Sequence, residues 1–297
     1  MTRPPLPLWR SMLFVPVLNE KFLAGAPSRG ADCIQLDLED AIPLARKEEA
    51  RIAIASAAER LAAQGVEVVV RINRPWRMAL RDIEASVSSA VTALTLPKVP
   101  DASHIRAIGE ILDEMEAEHG LAHGHTRLVA MIETAEGLLN MPAIAAASPR
   151  VVAMTVGAED LALDMGMEPV ADALYVPNVQ AVAAARAAGI LPIGYVGSVA
   201  DYADEARYRE TAEQAQRLGF AGGFCIHPKQ VPILNAAFAP GAEAVSDAEA
   251  LIAAYDAAER EGKGAVTYQG RMIDKPVVDR AKALLARAAA IAARSGA

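Results

Sequence analysis

The feature that most constrains this chain is an alternation. Short apolar, β-branched runs recur at 11–16 (SMLFVP), 33–38 (CIQLDL), 67–72 (EVVVRI), 93–98 (ALTLPK), 127–132 (RLVAMI), 151–156 (VVAMTV), 191–196 (LPIGYV) and 222–226 (GGFCI). Ala-rich helical stretches separate them, at 45–64, 101–118, 135–147, 179–188 and 202–218. Strands that are apolar throughout are buried on both faces, which calls for flanking helices and parallel pairing. Eight such units close most simply into a ring, so the expected fold class is α/β, a TIM (β/α)8 barrel. An open doubly wound sheet is the competing architecture. No glycine-rich dinucleotide fingerprint follows the first strand and there is no P-loop, which weighs against it.

The 297 residues exceed the ~250 typical of one such barrel, and the excess lies at the C-terminal end. His227-Pro228 opens a short helix, Pro240-Gly241 makes a turn, and a helix over 247–261 is broken by Gly262-Lys263-Gly264. A separate segment, 265–276, then leads into a last helix over 277–294. The expected division is therefore a catalytic domain over 1–238 and a C-terminal helical extension over 239–297, serving as a lid or as an arm to a neighbouring subunit.

Net charge of -8 and a pI near 5.3 leave no electrostatic reason to expect a nucleic-acid partner. No charge-free run reaches the ~18 residues of a spanning helix, and the Pro-rich start lacks the apolar core of a secretory signal. The expectation is a cytoplasmic protein with no membrane partner. Cys33 and Cys225 each sit inside an apolar run and read as buried, reduced thiols.

In a barrel of this kind chemistry sits where strands end, so charges there carry the most information. Asp37-Leu38-Glu39-Asp40 ends the second run, Arg71-Ile72-Asn73 the third and Pro97-Lys98 the fourth. Glu133-Thr134 closes the fifth, Gly157-Ala158-Glu159-Asp160 follows the sixth and His227 closes the eighth. Glu133 and Asp160, from adjacent strand ends, suit Mg²⁺, which takes hard oxygen ligands and keeps several waters. Arg71 is the natural counter-charge for an enolate or carboxylate oxygen. Of Asp37, Glu39 and Asp40, one is expected to brace Arg71 or a metal-bound water and another to cap the next helix. A ring of salt bridges bracing the mouth is the alternative for the whole set. Gly157 and Gly137 mark turns where backbone N–H groups approach a ligand, and His227 serves as a cap or as a base.

These strings, with Arg10-Ser11-Met12-Leu13-Phe14-Val15-Pro16 and Ile226-His227-Pro228-Lys229-Gln230-Val231, resemble the citrate lyase β-subunit-like branch of the HpcH/HpaI aldolase family, which includes malyl-CoA and citramalyl-CoA lyases. The resemblance spans nearly the full length. It implies a homotrimer or hexamer, Mg²⁺ held by Glu133 and Asp160, and coenzyme A as part of the substrate. Catalytic roles fall to Arg71, Asp40, Glu39 and Asp274; substrate contacts to Arg71, Glu133, Gly157, Ala158, Glu159 and Asp160; and a CoA contact to Lys21. Gln269-Gly270-Arg271-Met272-Ile273-Asp274 resembles the lid of lyases acting on free acyl-CoA esters, in which the matching Asp enters a neighbouring subunit's site. Citrate lyase β-subunits tend to lack that segment. The chain departs from the family pattern at Val17 (usually Gly), Gly25 (often Lys), Pro177 (commonly Arg) and the loop Gly194–Ser198. The implied function is reversible Claisen-type cleavage to acetyl-CoA and a 2-oxo acid. The rivals are a class II aldolase on free 2-oxo acids and a non-catalytic subunit of a citrate-lyase-like complex.

Overall fold

The computed structural model describes residues 5–197, 204–262 and 264–295. All eight apolar runs become strands: β1 (Ser11–Pro16), β2 (Cys33–Asp37), β3 (Glu67–Arg71), β4 (Ala93–Leu96), β5 (Arg127–Ile132), β6 (Val151–Val156), β7 (Leu191–Pro192) and β8 (Gly223–Cys225). They pair in parallel in one curled sheet, in the order β7-β6-β5-β4-β3-β2-β1-β8. The two outer strands meet through a parallel bridge, Ile193↔Gly222. There the Gly194 N–H donates to the Gly222 carbonyl at 2.9 Å and the Ala221 N–H to the Pro192 carbonyl at 2.8 Å.

Three expected strands lose two residues or more, while those at 33–38 and 67–72 lose one each. The 93–98 run stops at Leu96, because Pro97 has no N–H to give the ladder and Lys98 turns into the left-handed region at φ 49°. The 191–196 run pairs over two residues only, since Gly194 at φ 141° takes the chain out of strand conformation. The 222–226 run keeps three residues as strand, with Gly222 in the bridge.

Helices cover the outer face: α1 (Glu20–Gly25), α2 (Lys47–Ala62), α3 (Trp76–Ser86), α4 (Ala102–Glu118), α5 (Ala135–Ala146), α6 (Ala158–Met165), α7 (Ala171–Ala187), α8 (Glu205–Leu218) and α9 (Gln230–Ala237). Asp101, Thr134 and Asp204 start α4, α5 and α8 by accepting N–H bonds from the first turn. α7 begins well before the expected 179. It carries Pro177 in its interior, where a missing N–H costs ~3 kcal/mol. Burial of Leu174, Pro177, Asn178 and Ala181 offsets this, and the Asn178 carboxamide donates to the Leu174 carbonyl at 2.9 Å. The part of the expected 202–218 helix at 202 and 203 lies outside the described residues.

Parallel pairing puts every strand's carboxyl end on one side, and burial sorts the interior along that direction. Met12, Cys33, Val69, Ala93, Val129, Ala153, Leu191 and Phe224 form an apolar cluster closed by Trp9, which precedes β1. One step further along the strands, the Thr95 hydroxyl donates to the Gln35 side-chain carbonyl at 2.6 Å, both residues fully buried. Charged residues take over at the carboxyl ends. Cys33 and Cys225 are free and buried, and burial holds the Cys225 thiol protonated by pushing its pKa up.

Contacts divide the chain into two units, Met1–Asn235 and Ala236–Ala297. Within the second, α10 (Ala242–Arg260) leads to a hairpin of β9 (Val266–Tyr268) and β10 (Arg271–Ile273), then to α11 (Lys275–Ser295). Gln269 at φ 48° and Gly270 at φ 75° form its two-residue turn, the left-handed pair that a tight hairpin needs. Tyr255, Ile273 and Val278 make a small core of their own. Among the described residues no helix is long and apolar enough to cross a membrane.

Candidate active site

β3 ends on Arg71, which strand alternation turns into the curled sheet with Val69. Its guanidinium forms a fork with Asp37 at the end of β2, Nε to Oδ1 at 2.8 Å and Nη2 to Oδ2 at 2.7 Å. Asp37 is placed to do so because the same carboxylate accepts the N–H of Glu39 at 2.9 Å and of Ala41 at 3.0 Å. The expected brace is therefore Asp37, which also closes the turn at 39–41; the acid cap expected on the following helix is not formed, since Arg46 stands at the start of α2 with no side-chain cap bond. The remaining nitrogen, Nη1, faces Glu39 at 2.8 Å and Asp40 at 3.1 Å, and the Phe14 ring lies 4.8 Å from the guanidinium carbon. Lys47 fixes the turn by donating to the carbonyls of Leu38 and Glu39 at 2.7 and 2.6 Å, and Asn73 donates to Leu38 at 3.0 Å.

Glu39 Oε2 is buried and, although close to Arg71, lies out of line for a hydrogen bond. Burial pushes the Glu39 carboxyl up to about 8; Arg71 pulls against that, while Asp40, Glu133 and Asp37 add to it. A neutral Glu39 keeps three acids around Arg71 from cancelling its charge.

Glu133 follows β5 directly and is almost fully buried. The Lys98 backbone N–H, aimed inward by that residue's left-handed conformation, donates to Glu133 Oε2 at 2.8 Å. Burial raises the Glu133 carboxyl to about 7 and the Lys98 N–H opposes it; Asp160 raises it further. Asp160 does not come from the end of β6, as the strand-end expectation had it, but from the first turn of α6, one turn beyond Gly157. Its Oδ1 holds the Lys98 ammonium at 2.8 Å, and Lys98 is raised by this bond, with Glu133 and Glu39 contributing. Gly157 is glycine for lack of room: a Cβ there would stand 2.3 Å from Glu133 Oε1 and 2.5 Å from its Cγ.

Among the described residues no group of three or more His, Cys, Asp or Glu converges as a ready metal cage. Two carboxylates, one of them paired with the Lys98 ammonium, are instead a partial donor set. It suits a hard divalent ion that draws its other ligands from water and substrate.

A cavity of about 150 Å³ gathers these groups. Its wall includes Arg71, Asp40, Glu133, Gly157, Ala158, Glu159 and Asp160, and it is completed by Phe14, Met131, Thr155, Tyr195 and Phe224. Glu39 is set back from that wall. A second cavity, about 480 Å³, shares Phe14 and is lined by Lys21, Phe22, Arg29, His227 and Lys229. His227 Nδ1 accepts the Lys229 N–H at 3.2 Å, the hydrogen-bonding role of its two expected ones. Asp274 belongs to the second unit, where its carbonyl accepts the first N–H groups of α11. Tyr195, Arg29 and Lys229 carry no sequence signal that separates them from surface or core residues. Lys98 alone had a clue, its place at a strand end.

The fold and this polar cluster define the class: an α/β enzyme with its chemistry at the carboxyl ends of parallel strands. The model of the HpcH/HpaI aldolase/citrate lyase family matches residues 10–228, and the chain belongs to that family of lyases. It is 36% identical over 284 residues to citrate lyase subunit beta of Leuconostoc mesenteroides subsp. cremoris, covering 94% of this chain and 92% of the relative. It is 33% identical over 304 residues to the L-malyl-CoA/beta-methylmalyl-CoA lyase of Cereibacter sphaeroides (strain ATCC 17025), with the same coverage of 94% and 92%. The crystal structure of CitE from Mycobacterium tuberculosis in complex with magnesium, acetoacetate and coenzyme A matches with a TM-score of 0.74 at 30% identity, covering 97% of this chain and 99% of that one.

Proposed function

We propose that the chain is a Mg²⁺-dependent acyl-CoA carbon–carbon lyase, of the malyl-CoA or citramalyl-CoA kind, working reversibly between a 3-hydroxy-3-carboxy acyl-CoA and acetyl-CoA plus a 2-oxo acid. The observation that carries this reading is one small cavity lined by Glu133, Asp160 and Arg71. In this reading the curled sheet is a closed (β/α)8 barrel, supported by the bridge between its outer strands. Residues 239–297 are a lid that a homotrimer or hexamer lends to a neighbouring site.

Glu133 and Asp160 would hold the ion, and a bound Mg²⁺ supplies Lewis-acid polarisation of hydroxyl and carboxylate oxygens. The chain's own residues do the rest. The helix α6 N–H groups at Ala158 and Glu159 receive the carboxylate of the 2-oxo acid. Arg71, locked by its fork with Asp37, faces the thioester oxygen on which charge grows as the bond between the 2- and 3-carbons breaks. Asp40, at the same wall, would take the hydroxyl proton as the oxo group forms, and Glu39 behind it holds a proton at neutral pH. Asp274, delivered by a neighbouring subunit, protonates the acetyl carbon. The larger cavity receives coenzyme A, its phosphates meeting Lys21, Arg29 and Lys229. Arg29 stands over Gly25, its Nη2 3.6 Å from where a Cβ would be, and supplies the cation that Lys provides in relatives.

Gly157→Ala tests the metal assignment without touching a charged group. The new methyl forces the Glu133 carboxylate aside, and Mg²⁺ affinity falls by about 10–100-fold at a stability cost of about 1–3 kcal/mol. Calorimetric Mg²⁺ titration with a melting curve reads both.

A second reading, a subunit acting on an acyl carrier partner, is favoured by the match to citrate lyase β-subunits. Purified chain given malyl-CoA, citramalyl-CoA or a free 4-hydroxy-2-oxo acid, with Mg²⁺ or EDTA, decides. Release of glyoxylate or pyruvate from a CoA ester, abolished by EDTA, is the expected result. Turnover only of the free acid would establish the class II aldolase, and none without a carrier protein would favour the subunit.

A further inference from the structure

Three aromatic side chains, Phe14, Tyr195 and Phe224, line the cavity that holds Glu133 and Asp160. Tyr195 lies in the short stretch after β7, between Gly194 at φ 141° and Gly197 at φ 157°. Its ring meets the Tyr208 ring edge-on, centroids 5.6 Å apart at 83°. The Tyr195 and Tyr208 hydroxyls both donate to the Phe224 carbonyl, at 3.3 and 3.5 Å. On another side the ring packs on Gly223, where a Cβ would stand 3.2 Å from it. A side chain held at ring edge, hydroxyl and backbone contact is a fixed wall, not a mobile one.

Tyr195 also borders a third cavity, about 530 Å³, whose lining includes Arg207, Thr211, Gln214 and Arg217. The two sides differ in character. Met131, Thr155 and Phe224 lie on the substrate side beside the charged groups of the site, whereas the far side carries two guanidinium groups and the Glu210 carboxylate. The substrate cavity, about 150 Å³, is less than a third the size of the recess behind Tyr195.

We propose that Tyr195 is the size filter for the 2-oxo acid, closing the metal-site cavity from the recess behind it and favouring a short side chain beside the oxo group. This rests on the reading of the site as one that binds 2-oxo acids. Truncating the ring joins the cavity to the recess, where a longer acid with a second carboxylate finds both space and Arg207 or Arg217.

Calorimetric titration of pyruvate and of 2-oxoglutarate in Mg²⁺, on wild type, Tyr195→Phe, Tyr195→Leu and Tyr195→Ala, is the test. Wild type and Tyr195→Phe are expected to bind pyruvate about tenfold or more tighter, and Tyr195→Ala to move the ratio at least about tenfold toward 2-oxoglutarate, with Tyr195→Leu between. Tyr195→Leu keeps the test usable if the alanine variant does not fold. An unchanged ratio in a folded truncation, or equal affinity for both acids in wild type, overturns the filter. Because the readout is binding, a failure of lyase turnover strikes the proposed function and leaves this result standing.

Discussion

Glu133→Gln is expected to lower Mg²⁺-dependent cleavage of the CoA ester by about 1,000-fold, in the range seen when one preorganised charge-stabilising contact is lost. The fold survives, because the amide keeps the shape of the carboxyl and its oxygen still accepts the Lys98 N–H. The sign of the stability change is specific. The Glu133 pKa rises from 4.5 to about 7 on folding, so the native state binds the proton more tightly than the unfolded chain. The stability this contributes is complete below pH 4.5 and is lost as pH rises through 7, a swing of about 3 kcal/mol. Metal-free Glu133→Gln therefore melts above wild type at pH 8 and level with it near pH 4.5. Unchanged Mg²⁺ affinity with full turnover would falsify the ligand assignment.

Arg71 is expected to give the other large effect, and on two quantities at once. Arg71→Ala leaves Asp37, 2% exposed, as an unpaired buried charge, a loss of about 3–5 kcal/mol. Arg71→Lys keeps the charge but cannot reproduce the two-point fork on Asp37, so Nζ no longer stands where Nη1 faced the cavity. Turnover falls about 100–1,000-fold with a smaller change in KM, the pattern of a contact made mainly in the transition state. The double change Asp37→Asn with Arg71→Met separates the roles. Removing both charges together restores much of the stability while turnover stays lost. Recovery of turnover in that double variant would show that Arg71 braces the sheet and does no more.

Much of the site was legible in order along the chain, because each strand is short and ends in its polar residues. Arg71 after Val68-Val69-Val70 and Glu133 after Ala130-Met131-Ile132 follow from strand alternation alone. Asp160 was placed at the right loop, and its seat on the first turn of α6 appears only once Gly157 caps that helix. Asp37 was read as one of three interchangeable acids. Its carboxylate takes two guanidinium nitrogens and two backbone N–H groups, and this leaves Asp40 at the cavity wall with Glu39 behind. Such a division depends on side-chain direction within one turn, which spacing does not encode. The hairpin of the second unit had its signal in Gln269-Gly270, but three-residue strands are too short to register as a period.

The sequence by itself determined the periodic part of this protein: eight buried parallel strands, their helices and the acids and Arg at the strand ends, since burial on both faces of a strand is written in residue type. Only the tertiary structure decided which groups meet. Lys98 reaches Asp160 because Pro97 ends β4 and the next residue turns left-handed; Tyr195 lines the cavity because two glycines bend the chain after β7 onto Tyr208 and Phe224. Those contacts join residues far apart in the chain through irregular backbone, where the local rules of strand and helix specify no direction.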